Sequence, residues 1–327
     1  MTSEHGKVIK LARLLADVKR VYDLESALPR ALIADLKRVY DLESVLPPAL
    51  IGELKHVYET EASDESVKEL EALGEVLKKW RKNCFDTLQS EFAKLPPDHP
   101  LKCPVSLYSA SGHGLDEVVH TRTLAWLLDP KEKHGFKTVL LEALLQFASE
   151  KSGRLRVRGN DVTARPERPY HSPRGEDAGR MDVWVEGRWA PGRTEPIGRQ
   201  WLLVIEAKIG ASEGPAQLKR YDKEIKRWGD KNPDARAFRV FLTPKGDPAT
   251  TSKENWCKLS FLKLANLLWK RRDWLKEKAG FYFLRYYIAG ILADVLHYTI
   301  GEEEFEKQEP LEALRVLKVM TILHEGG

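Results

Sequence analysis

Cysteine is scarce in this chain. Cys84, Cys103 and Cys257 are its only three, widely separated and with no Cys-x-x-Cys pair. That argues against a disulfide framework or a thiolate zinc site and leaves reduced, mostly buried thiols as the expectation. Long uncharged apolar runs are also lacking. The longest apolar stretch, Phe281 to Tyr298, contains Arg285 and Asp294, so it reads as a buried core helix and not a membrane span. The opening Met-Thr-Ser-Glu-His-Gly-Lys has no apolar h-region, which excludes a signal peptide and makes a cytoplasmic location the default. Neither sign of charge dominates: 53 Lys and Arg stand against 49 Asp and Glu, a net +4. A nucleic-acid partner is permitted by that balance but not identified by it, because clustering matters more than the total. What remains is an ordinary soluble composition, 42% hydrophobic and 31% charged, long enough for a full core plus one further module.

The N-terminus is repetitive. Residues 15–32 recur almost unchanged as 33–50, and a decayed third copy begins at Ile51. Within each copy the apolar positions follow helical spacing, and Pro29 or Pro47-Pro48 ends the helix. Residues 1–62 therefore read as an all-helical array whose short units need neighbours to bury their apolar stripes. A long helix is expected from Ser63 to about Lys94, acidic early and basic late as the helix dipole prefers. The breaker cluster Leu95-Pro-Pro-Asp-His-Pro100 is the expected domain boundary. Beyond it, 101–259 alternates helical and strand-like patterns. Helices are expected over Asp116–Leu128, Thr138–Ser149 and Ala216–Trp228. Strands are expected at Arg154–Arg158, Val162–Tyr170, around Asp182, over Trp201–Lys208 and at Ala237–Leu242. Residues 260–327 read as helices packing on that core. The fold class is α/β, a sheet flanked by helices with its site at strand ends.

Chemistry is concentrated in residues 180–221. Asp182 lies at the end of one apolar stretch, and Glu206-Ala207-Lys208 emerges from the run Trp201–Ile205. Strand alternation puts Glu206 and Lys208 on one side and the Ala207 side chain on the other. If Asp182 occupies the neighbouring strand, two carboxylates converge beside an ammonium, and such hard oxygen ligands suit Mg²⁺ or Mn²⁺. A phosphodiester is an anionic electrophile, so its hydrolysis needs a cation to neutralise phosphate and activate water. Buried charges at this position either pair structurally or bind something.

Several segments in order share one resemblance. Gly179-Arg180-Met181-Asp182, Val204-Ile-Glu206-Ala207-Lys208 and Gln217-x-x-x-Tyr221 are preceded by Glu117-Val-Val-His120-Thr121 and His134-Gly135. Val240-Phe-Leu-Thr-Pro-Lys-Gly and Trp256-x-x-Leu-Ser-Phe come after them. Together they resemble a bacterial branch of the PD-(D/E)XK nuclease superfamily, over roughly residues 115–270. The resemblance implies a restriction-endonuclease-like core with a central mixed sheet. It also implies that Asp182, Glu206 and the main-chain carbonyl of Ala207 ligate metal, and that Glu117 holds a second metal or its water shell. Lys208 would position or deprotonate the attacking water. Gln217 and Tyr221, one helical turn apart, would face the strand end and touch a ligand or the scissile phosphate. Ala207 stands where the branch commonly has Asn, a side chain that points away from the metal.

Basic charge is uneven. Between Lys151 and Arg180 there are eight basic residues and four acidic ones, a local excess equal to that of the whole chain. Arg154, Arg156 and Arg158 alternate with apolar residues and, with Arg180, are the candidate nucleic-acid contacts, acting on the backbone without reading sequence. An edge strand protected by charge is the competing account. His113, His120 and His134 cluster in sequence but match no zinc-ligand spacing, and His120 reads as a structural histidine. The functional expectation is a divalent-metal-dependent nuclease, DNA before RNA, whose N-terminal helices mediate self-association or bind a partner protein. The resemblance places it in bacterial anti-phage defence. The alternative is a catalytically silent nucleic-acid-binding or scaffold protein on the same fold.

Overall fold

The chain divides into two compact units, Met1–Asp86 and Thr87–Gly327. The computed structural model describes residues 82, 85–149, 155–170, 179–191, 198–275, 279–298 and 310–324. The 18-residue repeats, most of the helix expected from Ser63, Cys84 and Arg154 lie outside the described residues. The second unit begins before the expected boundary at Leu95–Pro100, and that breaker cluster is tied down on both sides. The Lys102 ammonium donates to the Leu95 carbonyl at 2.7 Å, and the Arg285 guanidinium donates to that of Pro97 at 2.9 Å.

Five strands of this unit form one mixed sheet in the order β1-β2-β3-β4-β5: β1 Thr163–Tyr170, β2 Gly179–Arg188, β3 Gln200–Ala207, β4 Arg236–Thr243 and β5 Cys257–Ser260. β1, β2 and β3 pair antiparallel. β3, β4 and β5 run parallel. The longer helices from Glu117 onward are α1 Glu117–Leu128, α2 Val139–Ser149, α3 Gln217–Lys231, α4 Phe261–Trp269, α5 Ala279–Gly290 and α6 Pro310–His324. Each strand's place follows from its residues. β3 is central and buried from Trp201 through Ala207, which accounts for its unbroken apolar run. β1 carries Pro166 and Pro169 and forms an edge, where a missing N–H costs no ladder bond. The parallel β3–β4 pair requires a crossover, and α3 supplies it. α3 buries Leu218, Tyr221 and Ile225 at helical spacing against the sheet and leaves a charged outer face. α1 packs on β1 and β2, and α2 on β4.

One register step sets the geometry of the site. Pro166↔Val183 and Arg168↔Met181 are paired, while Glu167 and Asp182 between them are not. Glu167 is left-handed, with φ of 47°, a conformation costing a non-glycine residue roughly 1–3 kcal/mol. Both strands change the face they present across this step. Met181 and Trp184, three residues apart and not two, therefore both enter the core beneath α3, and Arg168 stacks its guanidinium on the Trp184 ring at 3.5 Å.

Some sequence expectations differ from the structure. Arg156 and Arg158 are exposed between buried Leu155 and Val157, the expected alternation, but only Val157 bridges to the sheet, at Trp189. The chain then turns through Gly159–Asp161, because Gly159-Asn160-Asp161 favours a turn over a strand. β5 carried no strand signal of its own, being four residues long. The helix expected over Phe281–Tyr298 holds its α form to Gly290 and passes into a π-turn at Ile291–Val295. No described helix is long and apolar enough to cross a membrane. Cys103 is buried and Cys257 half-buried, and neither is in a disulfide among the described residues.

Candidate active site

The C-terminal end of β3 delivers Glu206, Ala207 and Lys208 to one point. Glu206 is fully buried and Lys208 is 8% exposed. The Lys208 ammonium spends all three N–H donors on oxygen: Glu206 Oε1 at 2.5 Å, the Ala207 carbonyl at 2.9 Å and Glu117 Oε1 at 3.1 Å. Glu117 also accepts from the Ile209 amide through Oε2 at 3.1 Å, so both of its oxygens are engaged. It comes from the first turn of α1, where Asp116 caps the helix by accepting from the Val118 and Val119 amides. A carboxylate in that turn is further favoured by the helix dipole.

Asp182 enters from β2. The antiparallel register pairs Val183 with Ile205, and one further step sets Asp182 opposite Glu206. Its Oδ2 accepts from the Ala207 amide at 2.8 Å. α3 supplies the remaining side of the site. Gln217 donates from Nε2 to Glu206 Oε1 at 2.5 Å and to the Tyr221 hydroxyl at 2.9 Å, while its Oε1 accepts from the Gly214 amide at 3.1 Å. The Tyr221 hydroxyl donates to the Arg180 carbonyl at 2.6 Å. With only 1% of its surface exposed, Tyr221 lies beneath the site and ties α3 to the strand that carries Asp182. The six side chains singled out from sequence (Glu117, Asp182, Glu206, Lys208, Gln217 and Tyr221) thus form one hydrogen-bonded group.

The electrostatics of this group are those of too much negative charge. Burial, followed by the neighbouring Asp182, pushes the Glu206 carboxyl up to about 8 against the partial relief given by Lys208. Burial raises Asp182 as well. Burial pulls the Lys208 ammonium down, but Glu206, Asp182 and Glu117 outweigh it and its net shift is upward. Tyr221 is also raised, by burial and then by Glu206, and stays neutral. A 2.5 Å contact with Lys208 favours an ionised Glu206, whereas its upward shift favours a protonated one. Both are met if Asp182 and Glu206 share one proton in the absence of a cation. Three carboxylates against one ammonium leave an excess of two negative charges when all are ionised, which is the charge of one divalent cation.

The donor set fits such a cation. Glu206 Oε2 is buried and accepts from no protein donor, which leaves it to a proton shared with Asp182 or to a cation. Among the described residues no three His, Cys, Asp or Glu side chains converge as a ready-made cage. Mg²⁺ does not ask for one, since it is commonly held by one or two carboxylates and keeps its remaining positions for water and phosphate. Asp182, Glu206 and the Ala207 carbonyl present that minimal set.

The histidines have local duties. His120 is buried, Nε2 to the Gly114 carbonyl at 2.9 Å, and stacks on Tyr108; burial lowers its pKa. His134 bonds the Asp129 carbonyl and accepts from the Phe136 amide. His113 is exposed beside Asp116. Of the proposed nucleic-acid contacts, Arg158 lies 3.9 Å from Asp161, and Arg180 pairs with Glu167 at 3.2 Å.

Sequence reading missed two long-range clusters. The first is Arg122 on α1, which pairs with Glu167. The second is Asp294 in the π-turn, which accepts from Ser106 and Ser109 at 2.5 Å each and so pins the segment leading into Glu117. Gly114 faces Asp294 so closely that a Cβ would lie 3.1 Å from its carboxyl carbon. Asp294 and Ser106 are 188 positions apart, and no local pattern links them.

Comparison with curated proteins and with solved structures returns no match. The sequence does match the PD-(D/E)XK nuclease superfamily over residues 106–308, a span that holds Glu117, Asp182, Glu206, Lys208, Gln217 and Tyr221. The chain belongs to that superfamily.

Proposed function

We propose that this protein is a divalent-metal-dependent endonuclease that hydrolyses phosphodiester bonds, with DNA as its substrate. The observation that carries the reading is the orphaned, buried Glu206 Oε2 beside Asp182, with Lys208 held between Glu206 and Glu117. Asp182, Glu206 and the Ala207 carbonyl would hold Mg²⁺ or Mn²⁺. When bound, the ion supplies charge neutralisation at the phosphate and a water acidic enough to ionise near neutral pH. The chain's own residues do the rest. Lys208, raised and therefore cationic, offsets charge building on the phosphate; its three donors are taken by protein oxygens, and a cationic ammonium is the wrong protonation state for a general base. Glu117 fixes the direction of that ammonium and reaches a metal only through its water shell, both of its oxygens being engaged. Gln217 holds Glu206 Oε1, so Oε2 is the oxygen that would take a cation. Tyr221 acts through the β2 backbone and positions Asp182.

Cleavage assays on plasmid, linear duplex, single-stranded DNA and RNA, with Mg²⁺ or Mn²⁺ and with chelator, test this reading. Chelator-sensitive nicking of closed plasmid is expected. Binding without cleavage of any substrate would instead favour the catalytically silent scaffold. We place the activity in bacterial anti-phage defence, with residues 1–62 mediating self-association. Plaque counts on cells carrying the intact protein or its Asp182→Ala variant test the setting.

A further inference from the structure

We propose that Arg122 and Arg180, held by Glu167, form a subsite for a backbone phosphate beside the scissile one. It rests on the nuclease reading and adds to it the residues that seat the substrate strand. Glu167 gives one oxygen to each arginine. Oε2 accepts from the Arg122 guanidinium, through Nε at 2.8 Å and through Nη2, and Oε1 accepts from Arg180 Nη1 at 3.2 Å. Both arginine side chains remain largely in solvent, 59% and 66% exposed. Each guanidinium has five N–H donors, more than Glu167 takes up, and one carboxylate between two guanidiniums leaves a net positive charge.

Position ties this pair to the site. Glu167 occupies the register step opposite Asp182, about 5 Å away between facing backbones. Arg122 lies five residues beyond Glu117 on α1, about 7.5 Å along the helix axis. That is the scale of the separation between neighbouring phosphates of one strand. The left-handed Glu167 is the second observation. The pairing draws two largely exposed guanidiniums onto one strained residue in mid-strand. Strain of this kind, kept next to a catalytic carboxylate, is a mark of function. The strain breaks the β1–β2 pairing beside Asp182 and, in the same step, holds two cations where a phosphate would lie.

The test uses the full chain in chelator, with duplex DNA, single-stranded DNA and RNA probes of unrelated sequence, titrated by fluorescence anisotropy at several salt concentrations. Arg122→Ala and Arg180→Ala are each expected to weaken binding about tenfold, equally across sequences, and to reduce the slope of log affinity against log salt by about one. In Mg²⁺, Arg122→Ala is expected to raise KM with kcat held. A purely structural ion pair would lower Tm and leave the salt slope unchanged. Wild-type cleavage combined with unaltered affinity and slope in both variants would overturn the subsite and leave the nuclease reading intact. A wild-type protein that binds no probe in chelator and cleaves none in Mg²⁺ would overturn both.

Discussion

Replacing Glu206 with Gln should make the metal-free protein more stable, and more so as pH rises. The carboxyl titrates near 4.5 when unfolded and is pushed up to about 8 in the fold. A group raised on folding favours the native state fully below its unfolded pKa and loses that contribution as pH climbs through the folded one. Stability of the apo protein should therefore fall between about pH 4.5 and pH 8. At roughly 1.4 kcal/mol per pH unit the ceiling is about 5 kcal/mol. Sharing of one proton with Asp182 spreads the titration over the pair and reduces that ceiling to on the order of 2–3 kcal/mol. Glu206→Gln keeps the side-chain volume and an oxygen for Lys208 and Gln217 but cannot ionise. Thermal unfolding in chelator from pH 5 to pH 9 should give a wild-type Tm that declines over this range by several degrees relative to the variant. Adding Mg²⁺ should restore the wild type, by about 2.7 kcal/mol at a hundredfold excess over Kd, and leave the variant unmoved. Parallel curves for the two proteins in chelator would refute the charge-crowding argument. A variant stabilised by Mg²⁺ as strongly as wild type would refute the ligand assignment.

The same geometry bears on other variants. Asp182→Ala is expected to abolish chelator-sensitive cleavage with Tm unchanged or higher, because removing one of two crowded carboxylates relieves repulsion; full activity would sink the site. Lys208→Ala should also be inactive but retain metal binding, since the ammonium ligates nothing, and calorimetry showing lost affinity in a folded variant would reassign its role. Deleting residues 1–62 stops short of the second unit, which begins at Thr87. The expected product is a folded, metal-binding protein of altered oligomeric state. Light scattering with an unchanged mass would remove the self-association role, and an insoluble product would show that the repeats pack on the core.

What sequence alone determined here is whatever backbone periodicity dictates. The run Trp201–Ile205 implied a strand covered on both faces, and β3 is central and buried. Glu206 and Lys208, two apart, meet at 2.5 Å, and Gln217 and Tyr221, four apart, meet at 2.9 Å, because strand and helix repeats bring those spacings together. The resemblance carried by the motifs from Glu117 to Trp256 implied the mixed sheet flanked by helices that the fold has. Tertiary structure decided what lies beyond a helical turn or a strand repeat. Glu117 reaches Lys208 across 91 positions, Arg122 reaches Glu167 across 45 and Asp294 reaches Ser106 across 188. Such contacts depend on how helices pack on the sheet and carry no spacing signature. The unpaired step at Glu167 and Asp182 belongs to the same class. Its sequence, Pro166-Glu167-Arg168, reads as plain edge strand, and only the register with β2 shows that both strands change face there. At that step Asp182 accepts from the Ala207 amide and Glu167 from the two arginines.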